Sequence, residues 1–112
     1  MNGGPARTLE IRAEADAGAH TLWLKGELDL VSAGLLETHI AELCTDGASL
    51  IVLELDGLEF MDSTGLRSLL VSEELCGVNS CQLLVGRLSP QVERLLELSG
   101  LRDRLPRVSE PG

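Results

Sequence analysis

Apolar residues in this chain switch repeatedly between strand-like and helix-like spacing, and this alternation restricts its fold more than any other feature. A near-continuous apolar run at 50–55 predicts a central strand, and a shorter run at 82–85 predicts another. Helical spacing follows both runs, at 62–76 and after Ser89-Pro90. Strands that alternate with helices form parallel pairs joined by helical crossovers. The sequence therefore predicts an α/β fold.

The N-terminal part of the chain adds a hairpin and a further helix. Strict alternation at 8–13 and at 21–26 predicts two strands, and Gly18 supplies the turn between them. Helical spacing at 33–44 predicts the first helix, with Ser32 as its N-cap. These elements precede the central strand, so the predicted sheet is mixed, with an antiparallel pair at its start.

Short polar residues, glycine and proline mark the ends of the predicted helices. Asp46-Gly47 ends the first helix, and Gly77 ends the second. Ser89-Pro90 combines an N-cap with a proline at the first helical position of the third helix. Gly100 fits the left-handed position that follows the last turn of that helix.

The predicted order of elements is β-β-α-β-α-β-α, with a further short strand at Val108. It predicts a single α/β domain over 8–108, in which a mixed sheet of four to five strands carries three or more helices, packed mainly on one side. Residues 1–7 and 109–112 contain much Gly and Pro and are expected to be flexible tails.

Negative charge excludes two classes of partner. The formal net charge is −9, and between Glu27 and Glu74 eleven acidic residues face a single basic one, Arg67. Binding to nucleic acid or to an anionic membrane requires clustered Lys and Arg, so neither is expected. An acidic surface keeps a protein soluble and can also steer a basic protein partner towards it.

Features of membrane, secreted and metal-binding proteins are missing from the sequence. The longest stretch without a charged residue, 75–86, is too short to cross a bilayer, and the N-terminus does not resemble a signal peptide. Three cysteines fit a reducing cytosol, and we expect a cytoplasmic protein. The pair Cys76 and Cys81 lacks zinc-site spacing, so these cysteines are interpreted as small apolar core residues.

Catalytic constellations are also missing. His20 and His39 have no metal-ligand spacing, and no glycine-rich phosphate loop precedes a Lys-Ser or Lys-Thr pair. The chain has no Gly-x-Ser-x-Gly elbow. We therefore expect a protein that is not an enzyme, with no cofactor and no metal.

One segment, 55–66, combines features that the fold alone does not require. It is interpreted as leaving the central strand, forming a short loop with Phe60 and Met61, and entering the second helix at Asp62-Ser63-Thr64. Helix capping by Asp, Ser and Thr explains the last three residues and is favoured on local chemistry alone. The alternative is a phosphorylation site, because backbone N–H groups and the helix dipole accommodate phosphate at a helix N-terminus.

The chain resembles the STAS domain of bacterial anti-sigma factor antagonists. The resemblance rests on Gly26-Glu27-Leu28-Asp29 at the end of the second strand, and on Phe60-Met61-Asp62-Ser63-Thr64-Gly65-Leu66 before the second helix. The second motif is the more specific of the two. The order of elements and the length agree with this family, so the resemblance covers residues 8–108.

The resemblance implies a partner and a switch. Members of this family bind an anti-sigma factor that is itself a serine kinase, and this releases the sigma factor. The kinase phosphorylates the serine of the second motif, here Ser63 with Thr64 as second choice, and the complex dissociates; a PP2C-type phosphatase then resets it. Residues expected to contact the partner are Glu27, Asp29, Glu59, Met61, Asp62, Thr64, Gly65, Leu66 and Arg67.

Two other functions remain open on the sequence. The chain could be a ligand-sensing STAS module, for example for a nucleotide, although it offers neither a glycine-rich loop nor an aromatic residue to stack a base. It could also be a scaffold subunit of a larger assembly, in which Ser63 only caps its helix.

Overall fold

The computed structural model describes residues 9–108, so the predicted tails, 1–7 and 109–112, and the predicted first strand residue, Thr8, lie outside the described residues. The elements follow the predicted order. They are β1 (Leu9–Asp16), β2 (Ala19–Leu28), α1 (Ala33–Thr45), β3 (Leu50–Met61), α2 (Ser63–Val78), β4 (Gln82–Leu88), α3 (Pro90–Ser99) and a short 3₁₀ turn (Arg102–Arg104).

The four strands form one mixed sheet in the order β1-β2-β3-β4. β1 pairs antiparallel with β2 through a tight turn at Ala17 and Gly18, whose positive φ angles of 52° and 88° match the twist of a two-residue hairpin. β2–β3 and β3–β4 are parallel pairs. The predicted hairpin and parallel crossovers are confirmed.

The helices pack as the crossovers require. The β2-α1-β3 and β3-α2-β4 connections advance across the sheet in one direction, which puts α1 and α2 on the same side. These two helices contact each other, and the buried Ser68 hydroxyl donates a hydrogen bond to the carbonyl oxygen of Ala33, at 3.1 Å. α3 packs against β3 and β4. The prediction of helices mainly on one side therefore holds for the two crossover helices.

The core is aliphatic and continuous. Alternate residues of β3 are fully buried, and leucines of the neighbouring strands and helices complete one cluster. α1 contributes Leu36, Ile40 and Cys44, which recur every four residues along its buried face. Leu43 lies beside this face and is only half-buried. Among residues 9–108, no helix combines the length and apolar character needed to cross a membrane.

β3 is longer than predicted, and this changes the surroundings of the 55–66 segment. Asp56-Gly57 is typical of a turn, but the strand continues through it to Met61 after a register shift between Leu53 and Leu55. A Cβ on Gly57 would lie 2.8 Å from the carbonyl oxygen of Leu24, so this glycine lets two strands approach closely. The predicted loop before the second helix is therefore wrong, and its residues belong to the strand.

The helix ends agree with the predictions in part. Gly47 ends α1 with a φ of 87°, and Gly100 takes the left-handed conformation after α3. Ser89 caps α3 by accepting a hydrogen bond from the backbone N–H of Val92, at 3.4 Å. Gly77 does not end α2, which continues to Val78.

Two further predictions are corrected. Ser32 occupies the predicted N-cap position of α1 but makes no capping hydrogen bond, because its hydroxyl oxygen accepts from the N–H of Asp29, at 3.0 Å, while the hydroxyl donates to the carbonyl oxygen of Glu27, at 2.8 Å. The strand predicted at Val108 is reduced to an isolated parallel bridge between Val85 and Arg107. The N–H of Val108 donates a hydrogen bond to the carbonyl oxygen of Val85, at 3.0 Å, so this part of the chain pairs with β4 only at this bridge.

Candidate functional site

The carboxyl ends of β2 and β3 meet at one edge of the sheet. Glu27 pairs with Phe60 and Leu28 with Met61, in parallel register. The backbone N–H of Asp62 donates a hydrogen bond to the carbonyl oxygen of Leu28, at 3.4 Å, which links the start of α2 to the end of β2. Both predicted motifs therefore lie at the edge where open α/β sheets usually carry their binding sites.

Asp62 builds the start of α2. Its backbone is extended, and its carboxylate oxygen Oδ1 accepts a hydrogen bond from the N–H of Gly65, at 2.9 Å. Intrahelical bonding begins when the N–H of Leu66 donates to the carbonyl oxygen of Asp62, at 2.9 Å. Ser63 is exposed as the first helical residue, and its N–H and that of Thr64 precede this first bond. These two N–H groups can receive an anion at the helix N-terminus.

Gly65 allows α2 to start close to the sheet. A Cβ at this position would clash with the carbonyl oxygen of Leu28 and would lie 2.8 Å from Cγ of Met61. Any side chain here would force the helix start away from the end of β2. The glycine of the Asp-Ser-Thr-Gly sequence is thus required by close backbone packing, which also fixes where Ser63 is presented.

Asp29 organises the turn between β2 and α1. Its Oδ1 accepts hydrogen bonds from the N–H groups of Val31 and Ser32, at 3.0 and 3.1 Å, and its carbonyl oxygen accepts one from Ala33 N, at 2.8 Å. The N–H of Asp29 in turn donates to the Ser32 hydroxyl oxygen, at 3.0 Å. Asp29 was predicted as a partner contact; within the structure its carboxylate shapes the loop beside the start of α2.

The residues predicted to contact a partner differ in exposure. Ser63, Glu59 and Arg67 are exposed. Glu27, Asp29, Asp62 and Thr64 are half-buried. Met61, Gly65 and Leu66 are buried, so they support the helix start from below and do not present an outer surface.

Sequence reasoning missed an exposed apolar group at this edge. Leu30 and Val31, in the turn after β2, are 75% and 87% exposed, and Leu35 and Phe60 are also exposed. We call these four residues the apolar edge. The signal was present in the sequence, because Leu30 and Val31 fall outside the helical stripe of α1 and between two polar turn residues. Leu30 and Val31 are neighbours in the chain, and adjacent exposed apolar residues are a feature of protein interfaces.

Carboxylates also lie in the last part of β3 and at the start of α2. Asp56 and Glu59 are exposed on the last part of β3, and Asp62 follows at the start of α2. Arg67 is exposed one helical turn beyond Ser63. This end of the sheet therefore combines exposed apolar residues, the carboxylates just named, which we call the acidic border, and one hydroxyl at a helix N-terminus. This arrangement suits contact with a protein that carries basic residues.

Metal-ligating side chains converge elsewhere. Within residues 9–108, the one group of three or more such residues is Cys44, Cys76 and Cys81. Cys76 lies about 20 Å along α2 from Ser63, at a rise of about 1.5 Å per residue. Among residues 9–108, the carboxylates near the start of α2 therefore do not belong to such a group.

Comparison with known proteins agrees on one family. The model of the STAS domain matches residues 10–110 of this chain. An anti-sigma F factor antagonist from Paenibacillus polymyxa is 33% identical over 99 residues, which is 88% of this chain and 85% of that protein.

Solved structures share the fold. An anti-sigma factor antagonist from Mycobacterium paratuberculosis superposes with a TM-score of 0.77 at 27% identity, covering 91% of this chain and 86% of that one. The Bacillus cell fate determinant SpoIIAA in its phosphorylated form gives a TM-score of 0.68 at 22% identity, covering 90% and 93% of the two chains. The fold described above is thus shared with these proteins.

Proposed function

The chain belongs to the STAS domain family, and we propose that it is an anti-sigma factor antagonist, a regulatory protein that is not an enzyme. In this role it binds an anti-sigma factor and thereby releases a sigma factor for transcription. The observation that carries the proposal is the position of Ser63: it is exposed on the first turn of α2, beside the apolar edge. A hydroxyl in that position can be modified without opening the core.

We propose that phosphorylation of Ser63 ends the interaction. A serine kinase, the anti-sigma factor itself, transfers the terminal phosphoryl group of ATP to Oγ of Ser63 and releases ADP. The added phosphate brings about two negative charges to a border that already carries Asp62 and Glu59. Like charges and the desolvation of phosphate disfavour an apolar contact beside it, so the partner dissociates. A protein of the same fold, SpoIIAA, is known in a phosphorylated form.

Reversal of the switch requires a phosphatase. We assign this step to a PP2C-type enzyme, which hydrolyses the phosphoserine and restores the hydroxyl. The complete cycle then uses four proteins in one compartment, the cytoplasm: this chain, the anti-sigma kinase, the sigma factor and the phosphatase. In the proposed cycle the chain itself contributes a binding surface and a phosphate acceptor, and its partners supply the catalysis.

The apolar edge should carry much of the affinity. Replacing Leu30 with serine is expected to weaken binding of the purified anti-sigma factor about tenfold or more, because apolar residues at the centre of an interface dominate its energy. Stability should change by less than about 0.5 kcal/mol, since Leu30 is 75% exposed. Isothermal calorimetry with the unphosphorylated chain measures the affinity, and urea unfolding measures the stability.

Leu98 supplies the matched control for this substitution. It is a leucine with the same 75% exposure, but it lies on α3. Leu98→Ser should therefore leave the affinity unchanged. Equal losses for the two variants would contradict the assignment of the surface, and no binding of the unaltered chain would contradict the proposed function itself.

The acidic border should act on the rate of association. We expect the association rate to fall as salt rises from low concentration to about 0.5 M. The Debye length is about 10 Å at 0.1 M and becomes shorter at higher salt, so the attraction between the acidic border and a basic partner is screened. Glu59→Gln should lower the rate at low salt by roughly twofold, with little effect on dissociation. Glu42→Gln, on the exposed face near the end of α1, is the control. A rate that is independent of salt in stopped-flow experiments would rule out steering by this border.

A further inference from the structure

Three buried cysteines converge at the end of the molecule remote from Ser63. Cys44 lies in the last turn of α1, Cys76 near the end of α2, and Cys81 immediately before β4. All three are free thiols, and their sulfur atoms lie within 4.8 Å of one another. The Cys44 thiol donates a weak hydrogen bond to the sulfur of Cys76, at 3.9 Å. No feature of the proposed function uses this cluster.

Backbone structure holds the three cysteines together. After α2 the chain turns back at once, with Ser80 in a left-handed conformation at a φ of 57°. The backbone N–H of Cys81 then donates to the carbonyl oxygen of Cys76, at 2.8 Å, which fixes these two residues side by side. Packing of α1 against α2 adds Cys44. The cluster is therefore positioned by two helix ends and a strand start, before any ligand is present.

The spacing of the sulfur atoms suits a shared central atom. Thiolates bound to one ion at about 2.3 Å lie about 3.5–4 Å from one another. The observed separations, 3.9 Å for one pair and at most 4.8 Å for the others, are close to this. Small rotations of the cysteine side chains would bring the sulfur atoms of the other two pairs to this separation. A soft atom that prefers sulfur ligands is favoured over a hard cation.

Charge selects among the soft candidates. The three cysteines belong to the apolar core cluster. A divalent ion with three thiolates would carry a net negative charge into this core, and this has an energetic cost because a buried charge loses its hydration. A trivalent centre with three thiolates is neutral and avoids that cost.

We propose that Cys44, Cys76 and Cys81 form a binding site for a trivalent thiophilic metalloid, for which arsenite is the probe. Arsenous acid, As(OH)₃, condenses with the three thiols: three S–H and three As–O bonds break, three As–S bonds form, and three water molecules leave. Arsenic stays trivalent, so no oxidant or reductant is needed. The product ties the ends of α1 and α2 to the start of β4, and it does not depend on the proposed function.

The test is a titration of the reduced chain, free of small thiols and oxygen, with arsenite. Intact mass spectrometry under native conditions should detect one adduct, with the mass of one arsenic atom added and three hydrogens lost. Each single substitution of a cysteine by alanine should weaken binding at least about 100-fold; the variants are Cys44→Ala, Cys76→Ala and Cys81→Ala. Removing a residue that only orients a metal ligand weakens binding by up to about 100-fold, and loss of a ligand itself should cost at least as much. Ser72→Ala, a buried change on α2 that keeps all three sulfurs, should bind as the unaltered chain does.

Two further measurements keep the proposal decidable if a cysteine variant fails to fold. X-ray absorption at the arsenic edge of the unaltered complex should count three sulfur neighbours, and its amide NMR spectrum should stay dispersed. Absence of an adduct, two sulfur neighbours with a retained hydroxyl, or an adduct formed only by the unfolded chain would overturn the site. Tighter binding of Zn²⁺ than of arsenite would overturn the choice of a trivalent centre.

Discussion

Ser63→Ala should abolish phosphate incorporation when the chain is incubated with ATP and the cognate anti-sigma kinase. Ser63 presents an exposed hydroxyl on the first turn of α2, whereas Thr64 is half-buried. A kinase must reach the acceptor oxygen in line with the leaving ADP, which favours the more exposed residue. Intact mass spectrometry measures the gain of one phosphoryl group in the unaltered chain and its absence in the variant.

Thr64→Ala is the control for this experiment. It removes the neighbouring hydroxyl and should leave phosphate incorporation intact. Modification of Ser63→Ala to the same extent as the unaltered chain would contradict the acceptor assignment. Retention of a nucleotide by the unaltered chain without modification would instead favour the ligand-sensing alternative. If the unaltered chain neither gains a phosphate nor retains a nucleotide, a scaffold role is favoured.

Ser63→Asp extends the same prediction to binding. The substitution adds one negative charge beside Asp62, and we expect the affinity for the anti-sigma factor to fall about tenfold or more, which is at least about 1.4 kcal/mol. The fold should stay unchanged, because the free N–H groups of the first turn can receive a negative group and Arg67 lies one turn further. Amide NMR shifts should stay near the β2–α1 turn and the start of α2. Shifts spread over the sheet would contradict a local switch.

Element types were predictable because their periodicities differ. The apolar alternation of β2 and the stripe of α3 can each be satisfied by only one kind of element, and the structure has both. The end of β3 was not predictable from local chemistry. Asp56-Gly57 has the composition of a turn, but its glycine serves the close approach of β2, a contact between segments distant in sequence.

The sequence predicts where the candidate site lies, but it does not predict which residues of the site are exposed. Both motifs lie at the ends of strands that are parallel neighbours, which brings Asp29 and Asp62 to one edge of the sheet. Exposure depends on tertiary packing, so the sequence could not separate buried Met61 from exposed Phe60, two adjacent apolar residues of one strand. The same limit concealed the three-cysteine cluster, because Cys44 approaches the other two only when α1 packs on α2.

Gly65→Ala should destabilise the fold by about 1–3 kcal/mol, although alanine normally favours helices over glycine. The added Cβ would clash with the carbonyl oxygen of Leu28 and lie 2.8 Å from Cγ of Met61. The carbonyl belongs to the backbone of β2, so it cannot move aside as a flexible side chain would. The start of α2 must shift instead, which weakens the hydrogen bond from Asp62 to Leu28. Urea unfolding of the variant measures the loss.

Gly77→Ala in the same helix should have the opposite sign. Nothing lies within 4 Å of a Cβ at Gly77, so only the helix preference acts, and it stabilises by up to about 1 kcal/mol. The two substitutions are chemically identical, so their difference isolates the packing of the helix start against the sheet. Because that packing also positions Ser63, Gly65→Ala should slow phosphorylation and weaken binding even in the fraction that is folded. Equal stability of both variants would show that the start of α2 can yield without cost, and Ser63 would then need another element to hold it in place.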